Sequence, residues 1–276
     1  MAVFDLRSPV VTRWLDALSD RHAPSMSYPM MDGKHTFGAV VPLPSGRLPS
    51  GSPDAAIICY PCWLSREVIE SESTSEYQWS YRGDVHRLDA TGGRVALVGG
   101  IGVGGPAAAM LVEELGAHGV HRFIVVGMAG VLHKDLEPCG FAVCDRALRD
   151  EGVSHHYLPP GRYVEASEEL STRLTAELRE DGAAVRVGPT WTTDAPYRET
   201  AEEVRRYRDE GIATVEMEAA SVFAVAQLRG YEAAAGFVVS DLLTEEGWAG
   251  HFQAADLRPN LRRLLAAAMR TLAPEA

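Results

Sequence analysis

The sequence is poor in features that define several large classes of protein. No apolar run approaches the length of a membrane span. Four cysteines in 276 residues are too few for a disulfide-stapled scaffold and suit a compartment in which thiols stay reduced. There is no excess of positive charge. The formal net charge of -12 argues against nonspecific binding to nucleic acid or to an anionic membrane surface, because both need a cationic face. A small anionic substrate held by a few local cations stays compatible with it. The opening stretch, MAVFDLRSPVVTRWLDALSD, is charged and amphipathic and lacks the basic start, long apolar middle and small-residue cleavage site of a secretory signal. The expected location is the cytoplasm.

What remains is an ordinary globular composition, long enough to bury a large core without staples. Residues 21–53 are rich in Pro, Gly and Ser. Residues 1–53 therefore read as an N-terminal helix and irregular arm belonging to the same domain as an α/β body over 54–276. In that body, AAIICY (55–60), RVALVGG (94–100), FIVVG (123–127), FAVCDRA (141–147), AVRVG (184–188), TVEM (214–217) and AAGFVVS (234–240) read as strands. Several are apolar and β-branched throughout, as in strands covered on both faces. SEELSTRLTAELRED and LRRLLAAAMRTL carry Leu at helical spacing. The alternation predicts an α/β domain with a largely parallel central sheet. Ligands of such sheets sit beyond the carboxyl ends of the strands.

The stretch VALVGGIGVGGPAAAMLVEEL (95–115) contains G-x-G-x-x-G at Gly100, Gly102 and Gly105. A dinucleotide fold needs an acid at the end of the next strand to hold a ribose. That strand ends in Gly127, Met128, Ala129 and Gly130, with no carboxylate. The triphosphate loop is absent too, since Pro106 and Ala107 stand where Lys and Ser or Thr belong. Two readings remain: a tight turn with Pro106 at the first helical position, or backbone N–H groups of Gly102 to Gly105 facing a small ligand.

VEMEAAS (215–221) puts Glu216 and Glu218 around Met217 at a strand-to-helix junction. This is either an acidic helix start or a carboxylate that accepts hydrogen bonds from paired sugar hydroxyls. In GFVVSDLL, Ser240 and Asp241 fall just past a buried strand. They are either a helix-type cap or the site of a general acid with a raised pKa. Cys59 and Cys62 form C-x-x-C and Cys139 and Cys144 a wider pair, with no zinc spacing. A redox role is not expected, because no helix pattern opens directly at Cys59. His155 and His156 read as a loop or strand end. No metal and no cofactor are expected.

In order and spacing, GVGGPAAAMLVEELGAHGV, FIVVGMAGVL, TWTTDAPYRET, VEMEAASVFAVAQLRG and FVVSD resemble the nucleoside phosphorylase and nucleosidase superfamily of uridine phosphorylase and hexameric purine nucleoside phosphorylase. The resemblance runs from about His35 to Ala267 and implies an α/β fold of a single domain, with a twisted, mostly parallel central sheet, partly closed into a barrel and flanked by helices. It implies cleavage or formation of the N-glycosidic bond of nucleosides by homodimers, or by hexamers built as trimers of dimers. It implies that Glu218 holds the ribose hydroxyls, that Met217 packs on the sugar and that Glu216 lines the base side. Asp241, beside Ser240, matches the acid that protonates the leaving base in purine-type members. Tyr197 would lie near the base, and Gly102 and Met128 on the nucleophile side. His35 resembles a histidine lent by a neighbouring subunit to the sugar 5′ position.

The departures are as informative. Phosphorylases of this family carry an arginine where this chain has Val125, and a Ser or Thr that binds phosphate where it has Met128. A family Gly-Asp-Pro-x-Arg motif reads PCWLS at 61–65, with Arg66 next in line, and a third family arginine falls near Ser75, with Arg82 nearby. Strong phosphate ligands are charge-assisted donors. The expected activity is therefore cleavage of a purine-like nucleoside with water favoured over phosphate. Phosphorolysis through a rebuilt anion site, and a non-catalytic nucleoside-binding relative, are the alternatives.

Overall fold

The computed structural model describes residues 52–71, 74–76, 84–133 and 136–273. The expected N-terminal helix, most of the arm, His35 and Arg82 lie outside them. The apolar stretch Ala55–Cys59 forms β1, wholly buried, and is followed by α1 (Cys62–Ser71). The hairpin β2 (Thr74–Glu76) and β3 (Asp84–Leu88) leads to β4 (Val95–Gly99), again wholly buried. The glycine turn then opens α2 (Gly105–Ala117), so Pro106 is its second residue rather than its first.

β5 (Arg122–Val131) and β6 (Phe141–Asp150) are longer than the runs that announced them. A single helical turn, α3 (Ser154–Tyr157), takes up His155 and His156, which are thus neither loop nor strand end. β7 (Tyr163–Glu165), α4 (Glu168–Glu180), β8 (Val185–Thr193), α5 (Ala201–Asp209) and β9 (Thr214–Glu216) follow. The chain ends in α6 (Ala219–Arg229), β10 (Glu232–Thr244), β11 (Gly247–Gly250) and α7 (Leu257–Leu272).

The strands make one sheet in the order β11-β10-β6-β8-β9-β5-β1-β4-β3-β2, with β7 on β6. A further pairing of β10 with β5 closes β5, β10, β6, β8 and β9 into a ring. The sheet is thus a partly closed barrel with a flat wing. Pairings through its centre, β4–β1, β1–β5, β5–β10, β6–β8 and β8–β9, are parallel. Antiparallel contacts sit at the margins and at the β6–β10 and β5–β9 seams.

Side chains alternate between two cores, as period-two strands require. Phe123 and Val125 of β5 join Ala108 and Val112 of α2 and Phe223 of α6. Ile124 and Val126 face Leu170 and Leu174 of α4 and Leu261 and Leu264 of α7. The helix spacing read from the Leu residues is the spacing that fills this second core. Burial on both faces removes on the order of 2 kcal/mol of unfavourable exposure per large side chain, so the register of the central strands is tightly specified.

Candidate active site

The strands β1, β4 and β5 run in parallel, and their carboxyl ends meet the start of α2. The turn there is built from glycine because Gly100, Gly102 and Gly104 all adopt positive φ, where a side chain is strained. Its inner face is occupied by protein: the N–H of Gly104, the N-cap of α2, donates to Oε1 of Glu218 at 2.6 Å. Gly102 stays exposed.

Glu216 ends β9, and the backbone then bends through half-buried Met217 to Glu218, the N-cap of α6. Glu216 accepts from the hydroxyl of Thr192 at 2.5 Å and from the backbone N–H of Glu218 and Ala219, each at 2.8 Å. Thr192 also accepts from the N–H of Ala220 at 3.0 Å. One buried carboxylate and one hydroxyl thus satisfy the first N–H groups of α6, which a helix cannot satisfy itself. Both glutamates are buried. Burial raises the pKa of each, and the charge of Glu218 raises that of Glu216 further. The donors on each side chain oppose the rise. Glu216 fits the helix-start reading of this motif, since both its oxygens are engaged by the protein. Glu218 faces the glycine turn.

Ser240 and Asp241 lie inside β10, which runs on to Thr244, and not past its end. The strand continues because β5 and β11 flank it. A register shift between Val239 and Asp241 brings Asp241 opposite Gly130 of β5, and Gly130 is opposite Val215 of β9. Asp241, Gly130 and Val215 are therefore neighbours across three strands, one residue from Glu216. A Cβ on Gly130 would stand 2.7 Å from Oδ2 of Asp241 and 3.0 Å from Val215, so glycine gives the carboxyl its room. Asp241 accepts from the Ser240 hydroxyl at 2.6 Å and from the indole N–H of Trp248 at 2.9 Å.

The remaining sequence expectations distribute as follows. Tyr197 lies in a turn at Pro196–Arg198 and is 100% exposed, enclosed by none of the described residues. Met128 is half-buried against the α7-side core, and Val125 is wholly buried in the core beneath α2 and α6. Ser65 is buried and packs against Gly99, while Arg66 is exposed on α1. A helix does open within the C-x-x-C, at Cys62, because Pro61 ends the β1 segment and its carbonyl accepts the first helical N–H groups. Burial pushes the thiol of Cys59 up to about 12, which leaves it unreactive. Among the described residues no group of three His, Cys, Asp or Glu side chains is placed to hold a metal ion. None of their helices is long and apolar enough to cross a membrane.

Three side chains at this end of the sheet carried no sequence signal. The Tyr60 hydroxyl, just beyond β1, is buried without a hydrogen-bond partner, and its ring lies by Gly127. Burial, then the charges of Glu218 and Glu216, raise its pKa well above the usual value. Glu199 is half-buried, and burial, then the charges of Asp241 and Glu203, push its carboxyl up to about 7. Trp248 covers Asp241. Only the placement of Tyr197 within TTDAPYRET pointed anywhere near Glu199.

The chain belongs to the Phosphorylase superfamily, whose family model matches residues 65–272. It is 35% identical over 134 residues to a guanosine phosphorylase of Halorubrum lacusprofundi, covering 49% of this chain and 56% of that protein. It is 30% identical over 151 residues to a DeoD-type purine nucleoside phosphorylase of Bacillus cytotoxicus, covering 54% and 64%. The matches thus span less than two thirds of the length of these relatives. The crystal structure of a uridine phosphorylase from Vibrio fischeri superposes with a TM-score of 0.71 over 86% of this chain and 99% of that one, at 22% identity. That likeness establishes the shared α/β fold.

Proposed function

We propose that the protein cleaves the N-glycosidic bond of a purine-like nucleoside, with water as the nucleophile. The observation that supports this reading is the register that brings Asp241, Gly130 and Val215 side by side across three neighbouring strands, one residue along the chain from Glu216. In the proposed reaction the C1′–N bond breaks and its electron pair goes to the base. A protonated Asp241 gives its proton to that base, which improves the leaving group. Glu218 accepts from the ribose hydroxyls and favours the positive charge that develops on the sugar. Glu216, capping α6, fixes the backbone that presents Met217 and Glu218. Water adds to C1′ and loses its proton to solvent or to a neighbouring carboxylate.

Support for water comes from the nucleophile side. Val125 is wholly buried among apolar side chains, and Met128 packs on the far core, so neither position offers a guanidinium or a hydroxyl. Phosphorolysis is the second reading. It is favoured by the activities named for the relatives and by Arg66, exposed on α1 just beyond β1. On either reading the protein works as a homodimer or a trimer of dimers in the cytoplasm, with His35 reaching a neighbour's sugar site.

A panel of purine and pyrimidine nucleosides, incubated with and without phosphate, tests this directly. Release of a purine-type base with free sugar, independent of phosphate, is expected. Release that requires phosphate and yields a sugar 1-phosphate transfers the conclusion to the second reading. Binding with no release from any nucleoside rejects both.

A further inference from the structure

The hairpin β10–β11 brings a tryptophan onto the proposed acid in an unusual way. In its register Asp241 is opposite Gly250 and Leu243 opposite Trp248, so Asp241 and Trp248 are diagonal neighbours on one face. The indole lies back along the strand over Gly250: a Cβ there would stand 2.8 Å from Cη2 of Trp248 and 3.0 Å from the ring of Phe252. Phe252 completes the pair, with ring centroids 6.0 Å apart. Laid back in this way, the indole N–H reaches Oδ2 of Asp241 at 2.9 Å, while the Ser240 hydroxyl holds Oδ1 at 2.6 Å. The carboxyl is thereby fixed at both oxygens, against Gly130 on one side and beneath the indole on the other. Trp248 is 59% exposed and Phe252 46%.

We propose that Trp248 is a positioning residue for the leaving-group acid: its indole N–H sets the orientation of the Asp241 carboxyl. This rests on the reading of Asp241 as the acid. It assigns the β10–β11 hairpin, which is polar and glycine-rich in sequence, to the machinery of the site. The exposed outer face of Trp248 and the edge of Phe252 are then the surface over which a flat heteroaromatic base passes to meet Asp241. Trp248→Phe keeps an aromatic ring beside Phe252 and removes the N–H together with the reach of the second ring over Gly250.

The test compares the full chain with W248F, W248A and D241N, each checked for folding by circular dichroism. Two substrates are used: a purine nucleoside cleaved by the wild type, and the same nucleoside methylated at N7. The methylated base is already cationic and leaves without being protonated. W248F is expected to lower kcat on the ordinary nucleoside by about fivefold to tenfold, the loss expected of one neutral hydrogen bond that orients the carboxyl, with KM within about twofold. Turnover of the methylated nucleoside by W248F should stay within about twofold of wild type. W248A should lose on both counts, through KM as well. If W248F loses equally on both substrates, the role is structural and the proposal fails. If W248F matches wild type on both while D241N is impaired, the proposal fails and the acid stands. If D241N itself cleaves the ordinary nucleoside at the wild-type rate, Asp241 is not the acid and the underlying reading is the one that fails.

Discussion

The carboxylate of Glu218 and the backbone N–H of Gly104 are joined at 2.6 Å. The glycine turn at the start of α2, which in sequence resembles a loop for a ligand's phosphate, is closed in this chain onto a side chain of its own. The helix N-terminus and the buried glutamate complement each other electrostatically. The same carboxylate is the one we propose to accept from the sugar hydroxyls. Glu218→Gln keeps an acceptor for Gly104 and removes the charge. Its melting temperature should stay close to wild type while turnover falls by about 10²-fold or more. Unchanged turnover would remove Glu218 from the sugar site.

Glu216 has a different character. Removing its side chain strands the N–H groups of Glu218 and Ala219 and the hydroxyl of Thr192 in a buried place. Glu216→Ala is expected to cost about 3 kcal/mol in stability, since each stranded group carries a desolvation penalty. Urea unfolding measures this. A cost below about 1 kcal/mol would mean that water replaces the carboxylate as cap.

Gly130→Ala separates site geometry from stability. The new methyl group meets the end of the Asp241 side chain at 2.7 Å and Val215 at 3.0 Å. The carboxyl can swing aside and Val215 can shift slightly. The stability cost should be about 1–2 kcal/mol, while base release should fall as far as in D241N. Full activity in a folded Gly130→Ala protein would show that Asp241 need not lie against β5.

Glu199 makes stability depend on pH. Its carboxyl ionises near 4.5 when unfolded and is pushed up to about 7 by burial, Asp241 and Glu203 in the folded chain. Between those values the folded state binds more protons than the unfolded one, so this group's contribution falls as pH rises through the window and is flat above it. Glu199→Gln should remove that slope. Thermal melts of both proteins should lie close together near pH 5 and separate towards pH 8, with Glu199→Gln the more stable at the alkaline end; parallel curves would refute the assignment.

The sequence made much of this visible for identifiable reasons. Seven strands announced themselves and all seven are present; those buried throughout, such as β1 and β4, did so by continuous apolar runs. The ends of the longer ones were hidden. Gly127 and Gly130 read as the close of FIVVG, yet β5 continues through them because β10 and β9 pair on either side. For the same reason Ser240 and Asp241 looked like the residues after a strand. β2, β3, β7 and β11 are short or polar and owe their conformation to a neighbour. Glu216 and Glu218 stood out as residue types, but their division of labour depends on Thr192 and Gly104, 24 and 114 residues away. Trp248, Glu199 and Tyr60 had no signal at all, since only the fold brings them to Asp241 and Glu218.

The closed ring of strands also orders events in time. β5 is complete by residue 131, but its partner β10 begins at residue 232, and contacts of such long separation form slowly because loop closure precedes any reward. A chain emerging in synthesis carries the glycine turn long before Asp241 exists, with the edge of β5 unpaired. Asp241, the proposed acid, arrives only with β10. On refolding, recovery of nucleoside cleavage should therefore lag behind recovery of helical signal, and the interval between them is the lifetime of the open barrel.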